Sequence, residues 1–134
     1  MDTRPLANRL LANGFELAYP RLASQGAEIE YVACAGPTML QPRPKSRLME
    51  PVGPAIDPAD LDLLVTPTLA VNAQLTRLGQ GGGSYDRYLP RLGGEVCTVA
   101  LAASELCVPW GPVDEHDRAV DLVCTEDGLA KAWR

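Results

Sequence analysis

Apolar residues recur along the chain with two different periods. Over residues 4–13, Leu6, Leu10 and Leu11 fall on one face of a 3.6-residue repeat. That spacing predicts a helix, with Thr3 placed to cap its start and Gly14 to end it. Residues 15–19 read as a strand stopped by Pro20, and residues 29–33 as a second strand of alternating character. Residues 37–58 hold six prolines, so they predict a long ordered loop or broken hairpin, with a turn at 57–60. Residues 61–66 are mostly apolar on both faces, as suits a strand covered on two sides in a parallel sheet, and Pro67 ends the run. Residues 71–83 have no period and read as an irregular loop. Residues 84–91 read as a helix, 96–102 as a strand, 104–107 as a helical turn, 120–124 as the last strand and 126–133 as a terminal helix. Alternating strands and helices predict an α/β domain with a mainly parallel sheet. No internal repeat is present.

Composition narrows the function classes. The 134 residues fit a single domain, 1–134, able to bury about two-thirds of its unfolded surface. Hydrophobic residues at 46% and charged ones at 22% are those of a globular chain, and 5% aromatics leave the core to Leu, Val and Ala. The net charge of −5 and the lack of a long basic run exclude a nucleic-acid binder, which needs a basic face to displace counterions. Arg43, Lys45 and Arg47 form a short cluster that reads as a solvated loop. Cys34, Cys97, Cys107 and Cys124 lack the spacing of a zinc site or disulfide framework, so they read as reduced, buried small residues of a cytoplasmic protein. No apolar run approaches the length of a membrane span, and no signal-peptide pattern opens the chain.

The informative stretch is Arg77-Leu78-Gly79-Gln80-Gly81-Gly82-Gly83-Ser84-Tyr85-Asp86-Arg87-Tyr88. Glycines let backbone N–H groups approach an anion closely, and a helix start adds unpaired N–H groups. Arg77 adds a permanent cation suited to phosphate oxygens. Asp86 offers a hard oxygen for Mg²⁺ beside them. The loop is neither a Walker A, since no Gly-Lys-Ser/Thr follows, nor a dinucleotide fingerprint. Asp114, Glu115 and Asp117 form an acidic loop cluster. His116, the single histidine, reads as a residue shaping that turn, and Trp110 and Trp133 read as packing residues although either could stack on a flat ring.

The glycine stretch, continued to Leu89, resembles the signature of the 5-formyltetrahydrofolate cyclo-ligase (methenyltetrahydrofolate synthetase) family. Residues 15–20, Glu50-Pro51, Val65 and Pro67, Leu69-Ala70, Val108-Pro109, Glu115-His116-Asp117 and residues 120–126 are similar to further parts of that pattern. The resemblance implies a three-layer, Rossmann-like domain, on a sheet related to those of sugar-phosphate isomerases and CoA transferases. It implies ATP- and Mg²⁺-dependent closure of 5-formyltetrahydrofolate to 5,10-methenyltetrahydrofolate with release of ADP and phosphate. The formyl oxygen would attack the γ-phosphorus, and N10 would then attack the activated carbon as phosphate leaves. Carried over by position, Arg77, Leu78, Gly79, Gln80, Gly81, Gly82, Gly83, Ser84 and Tyr85 would line ATP. Gln80 through Ser84 would also face the folate, Asp86 and Asp117 would hold Mg²⁺, and Arg77 and Asp86 would carry catalysis.

The same resemblance implies a preceding segment with a basic helix, a first sheet strand and a folate-contacting Glu, so the chain reads as N-terminally short. A misplaced start, a catalytically impaired nucleotide- or folate-binding remnant, and a homodimer covering an open sheet edge (against a plain monomer) follow as alternatives. Ser84 stands where the family pattern has an aromatic or His, and Val71, Asn72 and Leu75 replace Phe, Asp and Gly. A different small-molecule enzyme on a related sheet would need a base or nucleophilic Glu in a matching loop, and none stands out.

Overall fold

The computed structural model describes residues 1–23 and 28–131. The chain divides into two compact units, Met1–Asp57 and Pro58–Arg134.

In the first unit, helix α1 spans Arg4–Ala12. Thr3 stands at the N-cap, as expected, but its side chain makes no capping hydrogen bond. The Asp2 carboxylate accepts the Arg4 N–H instead, at 3.0 Å, and also binds the Arg4 guanidinium at 2.7 Å. Asn13 closes the other end by donating its side-chain amide to Arg9 O at 2.7 Å. Strands β1 (Ala18–Leu22) and β2 (Ile29–Ala33) pair antiparallel. β1 therefore starts three residues later than the pattern predicts and runs through Pro20, which sits opposite Tyr31 with its ring exposed. A strand with no partner on its outer side tolerates proline, because no ladder bond is lost there. The proline-rich segment contains a 3₁₀ turn, Pro37–Met39, and a short hairpin of β3 (Gln41–Pro42) and β4 (Met49–Glu50). Arg43 leaves the expected solvated cluster to pair with Glu50 at 3.2 Å, and the same Glu50 oxygen accepts the Leu22 N–H at 3.2 Å.

The second unit opens with a 3₁₀ turn, Pro58–Asp60, and then holds the parallel sheet. Strands β5 (Leu63–Pro67), β8 (Cys97–Leu101) and β10 (Leu122–Thr125) run parallel in the order β10-β8-β5, and β11 (Gly128–Ala130) adds antiparallel to β10. The predicted terminal helix at 126–133 is thus a hairpin arm over its described part, and Trp133 lies outside the described residues. The Thr125 hydroxyl accepts the Asp127 N–H at 3.1 Å, which turns the chain back on itself. A second sheet joins β6 (Ala70–Asn72) antiparallel to β7 (Arg77–Leu78) and parallel to β9 (Cys107–Val108), where an irregular loop was expected at 71–83. The fold is mixed α/β, with parallel pairing concentrated in the second unit. Among the described residues no helix is long and apolar enough to cross a membrane.

Val71, Leu75, Ala100, Ala102, Val120 and Val123 form the buried core of this unit. All four cysteines are free and only half-buried, not the fully buried residues expected. The β6–β7 turn is held by Asn72, whose buried Oδ1 accepts the N–H groups of Gln74 at 3.0 Å and Thr76 at 2.9 Å. The turn requires Leu75 to adopt φ 62°, a left-handed conformation that a Cβ makes costly. Leu75 is nevertheless 7% exposed and packed in the core.

These two facts oppose each other in Leu75→Gly. Relief of the backbone is worth about 1–2 kcal/mol, whereas emptying a buried leucine site costs about 2–5 kcal/mol. Packing wins, so urea denaturation will show Leu75→Gly destabilised by about 1–3 kcal/mol; a variant as stable as the parent would show that strain, not packing, governs the turn. A second prediction concerns pH. The Ser104 hydroxyl at 2.7 Å, followed by the Glu126 and Ser104 backbone N–H groups, holds the Glu126 carboxyl below its ordinary value. A lowered folded-state value gives stability that is present above the unfolded pKa and is lost as pH falls through the folded one. Glu126→Gln should therefore be less stable than the parent near neutrality, with the gap closing as pH falls through the lowered folded-state value. A gap constant with pH would contradict the charge-based account.

Candidate functional site

Strand β7 delivers Arg77 and Leu78 to the head of the glycine loop, residues 79–83, and helix α2 (Ser84–Tyr88) carries the chain away. Pro90 converts the rest of the expected helix to a 3₁₀ turn, Leu89–Arg91. The loop is not packed shut. Leu78 through Gly82 are exposed, and Gly83 through Asp86 are half-buried. A cleft of about 370 Å³ lined by Leu89, Pro90, Thr98 and Arg118 and another of about 350 Å³ lined by Leu61, Asp62 and Glu95 are open among the described residues, and the glycine loop lines neither. Its base is fixed by Leu78 O, which accepts the Leu69 N–H at 2.8 Å and lies 3.1 Å from the Thr68 hydroxyl.

Arg77 is placed beneath the loop and not on its surface. Its side chain is 3% exposed. One guanidinium nitrogen donates to Asp86 Oδ1 at 3.1 Å, another to Pro67 O at 3.4 Å, and the group stacks 5.2 Å from the Tyr85 ring centre. Its Nε is buried without a hydrogen-bond partner among the described residues. A Cβ built on Gly79 would lie 3.7 Å from Nη1, so the positive charge sits directly under the start of the loop.

Asp86 is the point where three segments meet. Its Oδ1 takes both the Arg77 bond and the backbone N–H of Arg118 at 3.3 Å. The second contact brings the segment after Asp117 against the start of α2, so the two expected metal ligands stand on touching segments. Asp117 is half-buried, and its Oδ2 accepts the Asp114 N–H at 2.8 Å. Asp114, Glu115 and His116 are exposed; the His116 ring lies 3.3 Å from Glu115 and makes no contact with the glycine loop among the bonds of the described residues. Trp110 is 75% exposed.

A hard divalent cation fits the donors present. Each carboxylate keeps an oxygen, Asp86 Oδ2 and Asp117 Oδ1, that accepts no hydrogen bond among the described residues. Mg²⁺ takes one or two carboxylates and fills its remaining positions with water and phosphate oxygens. Asp86 would hold the ion from α2 and Asp117 from the facing loop. The Arg118 N–H, the Thr68 hydroxyl and the Arg87 guanidinium also shape the site, and the sequence reading passed over all three. The first is a backbone contact across 32 residues with no side-chain signature. Arg87 did carry a signal, since it lies four residues after Gly83, one helical turn away.

Comparison with known proteins shows what the chain as a whole is similar to. Over 80 residues the chain is 45% identical to the 5-formyltetrahydrofolate cyclo-ligase of Mus musculus, a stretch covering 57% of this chain and 39% of the mouse protein. Over 72 residues it is 32% identical to that of Mycolicibacterium smegmatis (strain ATCC 700084 / mc(2)155), covering 54% of this chain and 37% of the relative. The NMR structure of Aquifex aeolicus 5,10-methenyltetrahydrofolate synthetase superposes with a TM-score of 0.80 at 32% identity, covering 98% of this chain and 65% of that one. A Mycoplasma pneumoniae 5,10-methenyltetrahydrofolate synthetase shares the fold, with a TM-score of 0.66 at 24% identity over 87% of this chain and 59% of that one. The chain thus spans less than two thirds of each relative. The model of the 5-formyltetrahydrofolate cyclo-ligase family matches residues 1–126, and the chain belongs to that family.

Proposed function

We propose that the chain performs ATP- and Mg²⁺-dependent cyclisation of 5-formyltetrahydrofolate to 5,10-methenyltetrahydrofolate, releasing ADP and phosphate. The observation that carries this reading is the exposed glycine loop with a buried guanidinium beneath it and Asp86 at its far end. In this reading backbone N–H groups of residues 79–85 hold the phosphates, and Gln80 through Ser84 also meet the folate. Arg77 contributes positive charge from below and keeps Asp86 oriented. A bound Mg²⁺ supplies charge neutralisation at the transferring phosphoryl group. The protein's share of the work is alignment of the formyl oxygen with the γ-phosphorus and stabilisation of developing charge, both of which need a fixed cradle.

The finer structural reading follows from the same argument. Residues 1–134 are one family domain, and β5, β8 and β10 are its part of a three-layer, Rossmann-like sheet. Four free cysteines suit a reducing compartment, here the cytoplasm. The partner is a small folate, with the protein acting as monomer or homodimer.

The test is ATP-dependent growth of 5,10-methenyltetrahydrofolate absorbance from 5-formyltetrahydrofolate. The parent should turn over only with both ATP and Mg²⁺. Asp86→Ala should lose about 100-fold or more in kcat, as expected when a group serving the transition state is removed. Arg77→Ala should lose both activity and thermal stability, since it also removes the buried partner of Asp86. Thermal stabilisation of the parent by Mg-ATP without turnover would replace this reading with the binding remnant. Turnover by Asp86→Ala at the parental rate would remove the site from this loop.

A further inference from the structure

We propose that Arg87 is a positioning residue that sets the direction of the phosphate-binding amide at Gly83; this inference rests on reading residues 79–83 as a polyphosphate cradle. A peptide plane between two glycines meets little steric resistance to flipping. In one orientation it offers an anion an N–H, and in the other it offers a carbonyl oxygen, which repels it. Something outside the loop must therefore choose.

Arg87 meets two successive carbonyls, one with its backbone and one with its side chain. Its backbone N–H donates to Gly83 O at 3.1 Å, and its Nη1 donates to Gly82 O at 3.0 Å. Every peptide bond described is trans, and in a planar trans peptide the N–H points opposite to the C=O. Turning Gly82 O toward the guanidinium therefore turns the Gly83 N–H to the other side, whereas the Gly83 O bond is the first backbone bond of α2 and directs the Ser84 N–H without help from the side chain. The grip also accounts for glycine at position 83. Its φ of 64° is left-handed, and a Cβ there would stand 3.0 Å from Arg87 Nη1. The arrangement is separate from the Arg77–Asp86 pair, which pins the ends of the loop and leaves its central peptides unset. The ligand class it serves is the terminal phosphates of a nucleoside triphosphate.

The experiment compares the parent with Arg87→Ala and Arg87→Lys. Steady-state kinetics should show KM for Mg-ATP raised about tenfold in Arg87→Ala, and raised more than KM for 5-formyltetrahydrofolate, which meets the same loop but not through the amide that Arg87 directs. Lysine keeps a cationic donor and should recover part of the loss. An unchanged KM for Mg-ATP, an equal rise for both substrates, or a lysine variant no better than alanine would each overturn the proposal. A second measurement needs no ligand: backbone ¹⁵N relaxation of Gly82, Gly83 and Ser84 in the free protein. Order at the Gly83 amide should fall in Arg87→Ala and be partly kept in Arg87→Lys, with Ser84 serving as the reference that the helix bond holds in all three proteins; unchanged order at Gly83 would overturn the clamp. If the parent neither binds nor uses ATP, the cyclo-ligase reading fails by itself, and the relaxation data still decide whether Arg87 holds the loop.

Discussion

The site depends on one buried ion pair. A guanidinium removed from water costs several kcal/mol unless an opposite charge meets it, and Arg77 is 3% exposed. Asp86 meets it from nine residues away, so the pair closes a loop whose middle is almost all glycine. Entropy would otherwise leave such a loop open to many conformations. With both ends pinned, the glycines retain their close-approach geometry without the freedom to wander. Asp86 stays 23% exposed on its side chain, so solvent still reaches the carboxylate that buries its partner's charge.

The departures from the family pattern at β6 have a common physical explanation. Asn72 replaces an aspartate, but its carbonyl oxygen supplies the acceptor that the turn uses, taking two backbone N–H groups. Leu75 replaces a glycine and accepts a left-handed φ, and burial in the core offsets the strain. Val71 is fully buried and continues the same core. The turn's hydrogen bonds therefore go to an amide oxygen, and Arg77 enters the loop from a paired strand.

Much of the second unit was legible because its strands are apolar on both faces: β5, β8 and β10 all lie within or close to the runs that predicted them. β1 was misplaced because Pro20 reads as a stop, although a strand edge without a partner has no bond for it to break. The β6–β7 hairpin was missed because its turn lacks the glycine that marks most tight turns; a side-chain acceptor does that work. The expected helix at 126–133 failed because strand-to-strand return at Thr125 depends on pairing with β10, a tertiary contact that overrides local preference. In the site, the glycines and acidic residues were visible as residue types. What orients them was not, because Arg118 N–H, Leu78 O and Gly82 O are backbone atoms and every residue has those.

Asp86 resolves what would otherwise be a conflict between structure and chemistry. A carboxylate fully committed to a buried arginine makes a poor metal ligand, and one fully free makes a poor partner for a buried cation. Here both donors, Arg77 and the Arg118 N–H, converge on Oδ1, and Oδ2 accepts no hydrogen bond among the described residues. Because a carboxylate has about four acceptor sites over its two oxygens, one side can hold the fold while the other serves a ligand. The same bonds bring the Asp117–Arg118 segment against the start of α2, so the placing of the two carboxylates proposed to hold a cation depends on contacts that already keep Arg77 buried.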